Sequence, residues 1–154
     1  MDVLIVLSFL CVLAVVAWTD HRTMEIPDIL PAAILFLSVA AYLTGREPDL
    51  FSRFIGFFSV SLPMLLMTLA IPGAFGGGDI KLMAACGAFL GWRTALESSF
   101  FAILGGGIWG IWLLISGKAG RKDHFAFGPF LCAGAVIAFF GGDQILGWYL
   151  SLLP

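Results

Sequence analysis

The sequence predicts an all-α integral membrane protein, a bundle of six transmembrane helices forming one domain over residues 1–154. Two observations carry this prediction. Hydrophobic residues make up 60% of the chain and charged ones 12%, and the mean hydropathy is +1.03, far from the balance of a water-soluble domain. The charges are also segregated: uncharged runs occupy 3–19, 29–45, 54–78, 98–117 and 125–142, each near or above the roughly 17–25 residues that cross a bilayer core as helix.

The first run starts at Met1-Asp2 without a basic segment and has no small-residue cleavage site before Trp18, so it reads as a retained helix rather than a secretory signal. The second opens with Pro31, tolerable in a first helical turn where an N–H would lack a partner anyway. The third ends in Gly76-Gly77-Gly78. A short uncharged stretch, 82–92, counts as the fourth span if Lys81 and Arg93 snorkel to opposite interfaces. The last two runs complete six. Short connections leave no room for a separate soluble domain.

Six spans put Arg22, Lys81, Lys118, Arg121 and Lys122 on one side and Arg46, Arg53 and Arg93 on the other. The positive-inside tendency then places the first group in the cytoplasm. Cys11, Cys86 and Cys132 lie within apolar segments without a C-x-x-C pair and read as small buried residues. His21 and His124 read as surface groups, so no metal or other cofactor is expected. No basic tract suits nucleic acid. Gly106 and Gly110, like Gly87 and Gly91, have the small-x-x-x-small spacing of close helix contacts, within the bundle or at a homodimer seam. Trp18, Trp92 and Trp148 suit interfacial anchors, whereas Trp109 and Trp112 fall mid-span, where packing is expected.

The candidate chemistry lies in Asp20 and Asp79, each at the edge of an apolar segment, where a carboxylate is expensive to keep. Asp20 follows the first span and Asp79 the third, so both face the same side of the membrane. Two carboxyl groups brought together away from bulk water cannot both ionise readily, and such a pair can activate a water with one member while the other donates a proton. Gly76, Gly77 and Gly78 would break helical order and let a substrate approach the main chain. The alternative is a plain glycine turn with Asp79 as a helix N-cap. Lys81 either offsets charge at Asp79 or reaches lipid phosphate. Glu25, Asp28 and Asp123 either steer a basic substrate segment or are simply solvated. Pro27 and Asp28 form a helix-entry device.

Asp20-His21-Arg22-Thr23-Met24-Glu25-Ile26-Pro27-Asp28 resembles the first aspartate motif of type IV prepilin peptidases. Gly76-Gly77-Gly78-Asp79-Ile80-Lys81-Leu82 resembles their G-x-G-D-x-K-L motif, followed by a small-residue helix, and Phe127-Gly128-Pro129-Phe130-Leu131 the start of their last helix. The resemblance covers nearly the whole chain. It implies a six-helix GxGD-type membrane aspartic protease of the bacterial inner membrane, with Asp20 and Asp79 as the catalytic pair. Its expected substrate is a pilin-like precursor, cut at the cytoplasmic face to remove a basic leader, with Glu25 and Asp28 as leader contacts. The length looks like that of the short, tight-adherence branch, without the N-terminal methyltransferase region. Asp28 stands where Asn is frequent in that branch, and Ala126 where Pro is. The competing class is a non-enzymatic assembly or ion-coupled transport subunit, in which the acids would bind protons or cations.

Overall fold

The computed structural model describes residues 3–45, 47–117 and 125–151. Arg46, Lys118, Arg121, Lys122, Asp123 and His124 lie outside the described residues, as does the side chain of Trp148. The described residues form seven helices and no strand: α1 (Val3–Thr23), α2 (Ile29–Leu43), α3 (Leu50–Ser59), α4 (Ser61–Ala70), α5 (Gly77–Leu90), α6 (Trp92–Ile115) and α7 (Gly128–Ser151). α3 and α4 are one segment bent at Val60. Pro63 explains the bend, because it has no N–H for the Ser59 carbonyl and its ring crowds that carbonyl. The chain is thus an integral membrane bundle of six segments.

Val3–Thr23, Leu50–Ala70 and Trp92–Ile115 are long and apolar enough to cross a bilayer, and Ile29–Leu43 and Gly128–Gly142 are shorter apolar stretches. Leu4, Phe36, Leu43, Phe51, Leu69 and Ile115 all point outward. An apolar exterior around hydrogen-bonded helices is what a hydrocarbon solvent requires.

α5 departs from the expected 82–92 span. It begins five residues earlier and has 14 residues, about 21 Å at 1.5 Å per residue and well short of a roughly 30 Å hydrocarbon core. Ten of those residues are buried, from Asp79 to Leu90, so the helix is wrapped by its neighbours rather than by lipid. Its uniform apolarity has that cause: a helix enclosed on all sides needs no polar face. Nor do Lys81 and Arg93 flank it as paired anchors. Lys81 belongs to its second turn, and Arg93 already belongs to α6, where its Nε lies 3.7 Å from Glu97 Oε1.

Two contacts lock α5 in place. Gly87 meets Gly56 of α3 so closely that a Cβ on either would overlap the other's carbonyl oxygen; the spacing noted in sequence serves backbone approach within one bundle. At its end, Arg53 of α3 turns inward, 4% exposed. The guanidinium donates to Pro48 O at 2.8 Å, Ser38 O at 3.1 Å and Ala88 O at 3.2 Å, so it caps the negative end of α5. Sequence had grouped Arg53 with the loop cations. Desolvating a charged arginine is tolerable here only because carbonyls surround it. On the other flank Phe9 of α1 stacks on Phe89, centroids 4.1 Å apart.

One smaller expectation is corrected: Cys86 and Cys132 are buried, but Cys11 is exposed on the outer face of α1, an apolar thiol facing lipid. Trp109 and Trp112 pack as expected, stacked on each other at 4.9 Å with Trp109 also 6.4 Å from Phe130, and both remain substantially exposed, so they form a ledge on the surface of α6.

Candidate active site

Asp20 lies in the last turn of α1 and Asp79 in the first turn of α5, and both are buried, 5% and 9% exposed. They line one cavity of about 400 Å³ together with Met24, Phe75, Phe125 and Phe127. Its remaining lining residues are Gly73, Ala74, Gly76 and Ala126. Small residues leave width for an extended chain, and aromatic walls exclude water from the carboxylates.

Asp20 is held by the N-terminus of a helix: the Gly128 N–H, first in α7, donates to Asp20 Oδ2 at 2.8 Å. Asp79 stands in the first turn of α5, three residues on from the N-cap Gly76, and its carboxylate turns back toward that residue, where a Cβ would lie 3.2 Å from Oδ2. Asp79 is therefore not the N-cap that a plain glycine turn would make it. Helix N-termini carry partial positive charge, which offsets part of the cost of burying a carboxylate beside them. Two chain-distant acids share a site because α7 closes over α1 beside the α5 entry.

The glycines divide the work differently from the sequence expectation. Only Gly76 lies outside the helix, while Gly77 and Gly78 already belong to α5. The three do not unravel the backbone, because N–H groups in a first turn need no helical partner. A Cβ at Gly78 would stand 2.8 Å from Ile26 Cβ, so Gly78 lets the segment after α1 press against α5. A Cβ at Gly77 would meet nothing within 4 Å. Gly128 is the most constrained: a Cβ there would be 2.6 Å from Asp20 Oδ2. Sequence marked Phe127-Gly128-Pro129 only as a helix start; no pattern in it reveals that the glycine faces Asp20.

Lys81 is paired with Asp28, Nζ to Oδ1 at 2.7 Å and to Oδ2 at 2.8 Å, a partner that neither of its two expected roles names. Both side chains are mostly exposed, so the bridge contributes little by itself. It does tie the α5 entry to the start of α2. Glu25 is exposed at the same end of the bundle. The cavity walls Met24, Phe75, Phe125 and Phe127 went unmarked in sequence, because apolar loop residues in an apolar chain carry no signal.

The sequence model of the type IV leader peptidase family matches residues 7–111, a stretch holding both aspartates. The chain is 29% identical over 144 residues to the prepilin leader peptidase/N-methyltransferase of Bacillus subtilis (strain 168), covering 94% of this chain and 58% of that one. It is 44% identical over 87 residues to the protein so named in Legionella pneumophila, covering 56% and 29%. With the Pseudomonas aeruginosa protein of that name the identity is 32% over 137 residues, covering 86% and 47%. The chain spans about half the length of such curated relatives, or less. No solved structure matches it significantly. With both aspartates in one cavity and the family's pattern running through them, the chain belongs to the type IV leader peptidase family.

Proposed function

We propose that the protein is a membrane aspartic endopeptidase that removes the leader from pilin-like precursors, with Asp20 and Asp79 as its catalytic pair. The observation that carries this reading is the shared cavity: two buried carboxyls, brought by separate helices to one space that small residues keep open. In the reaction the ionised carboxylate takes a proton from water as the water oxygen attacks the scissile carbonyl. The protonated carboxyl donates to the leaving amine as the tetrahedral intermediate collapses, and the pair ends with its proton count unchanged. Gly128 holds Asp20 through a main-chain N–H, so the orientation of that acid does not depend on a mobile side chain.

The names of the relatives support the substrate, and the distribution of Lys and Arg supports a cytoplasmic face for this end of the bundle in the bacterial inner membrane. Exposed Glu25 is suited to attract a basic leader; Asp28 serves it only by exchanging Lys81. The test is cleavage of a leader-bearing precursor by the reconstituted protein, with the product's N-terminus read by mass spectrometry. Asp20→Asn and Asp79→Asn are each expected to lower the rate by about 10²–10⁴-fold or more at equal membrane levels. Retained cleavage by both folded variants would overturn the pair. Proton or cation coupling without any cleavage would favour a transport role instead.

A further inference from the structure

α1 is closed by a residue whose side chain the turn does not require. Met24 has φ 54°, in the left-handed region, and its N–H donates to the Asp20 carbonyl at 2.8 Å. That is the helix-ending geometry for which glycine is the usual choice and asparagine the next, because a Cβ crowds the backbone there. Among the described residues, Met24 is the non-glycine residue with positive φ. Packing does not account for it: the residue is 60% exposed and lies outside the buried cluster. It borders the cavity of Asp20 and Asp79, which Phe75 and Phe127 also line. Strain retained beside a reactive centre points toward a use there.

We infer that Met24 is a specificity-determining residue of the peptidase reaction proposed above, on which this inference rests: its thioether arm covers an apolar side chain of the precursor beside the scissile bond. The contact calls for apolar bulk over the substrate side chain, which a long apolar arm supplies and glycine or asparagine does not. Because the contact forms on binding and persists through the reaction, its loss raises KM and leaves kcat.

The full-length reconstituted protein is compared with Met24→Gly, Met24→Asn and Met24→Leu on two precursors, one with a large apolar residue flanking the scissile bond and one with alanine there. Gly and Asn suit the backbone, so these variants melt no lower than wild type. They are expected to raise KM about tenfold on the first precursor, the value of partial burial of one apolar side chain. On the alanine precursor their KM changes less than threefold, and Met24→Leu retains wild-type KM within that margin on both. Unchanged KM for Met24→Asn on the large-residue precursor, or an equal rise on both precursors, overturns the assignment while leaving the peptidase reading intact. A wild-type protein that cuts neither precursor overturns both.

Discussion

At Gly128 the absence of a single carbon decides what the neighbouring aspartate can do. A methyl there would stand 2.6 Å from Asp20 Oδ2, inside contact distance, and the obstacle on the other side is the start of a 24-residue helix that cannot shift alone. Gly128→Ala should therefore displace the carboxylate and break the 2.8 Å bond. Misplacement of a reacting group by about 1 Å costs about 100-fold, so cleavage is expected to fall by that order while the protein still extracts as a folded bundle. Measuring kcat together with the melting temperature separates a lost position from a lost fold. Asp20 and Asp79 were legible in the sequence because an acid at the edge of an apolar run is conspicuous. Gly128 was legible only as a helix start, since its partner lies 108 residues away.

Among the elements, α5 is the one on which the site depends, because it carries Asp79 at one end and is fastened at the other. Two fastenings can be tested apart. Gly87→Ala pushes a Cβ into the Gly56 carbonyl, a backbone obstacle with no rotamer to move aside, and overpacking of this kind costs about 1–3 kcal/mol. Arg53→Met takes its donor from the half-buried Pro48 carbonyl, at about 1–3 kcal/mol, while Ala88 O keeps the Ser38 hydroxyl at 2.6 Å. Both variants should lower the melting temperature in detergent, and an unchanged value for Arg53→Met would mean the Pro48 carbonyl finds another donor. The sequence marks Gly87 as a close helix contact but does not show its partner, Gly56, and the inward turn of Arg53 is missed because the cations are assigned to the connections between spans. Hydropathy cannot separate a helix enclosed by protein from one enclosed by acyl chains, as both environments are apolar.

Across the whole molecule, the segments 24–28, 71–76 and 125–127 gather at the cavity end, and 44–49 joins helices at the opposite end. In a background without Cys11, Cys86 and Cys132, cysteines placed at Glu25 and Ala74 should react with a membrane-impermeant thiol reagent from one side, and one at Gly45 from the other. Labelling of Glu25→Cys and Gly45→Cys from the same side would contradict the bundle. If the proposed orientation holds, the first two are protected in intact cells and react only after lysis.

The sequence by itself determined that the chain is a membrane helical bundle and that Asp20 and Asp79 are its unusual acids, because partition between water and hydrocarbon is written in composition and in the length of uncharged runs. The tertiary structure alone decided that α5 is enclosed by its neighbours, that Arg53 turns inward to cap it, that Lys81 pairs with Asp28, and that Gly128 meets Asp20. Each of these is a contact between residues distant along the chain, settled by which surfaces can approach and which polar groups must then find partners. No local pattern encodes such a contact until the helices have packed.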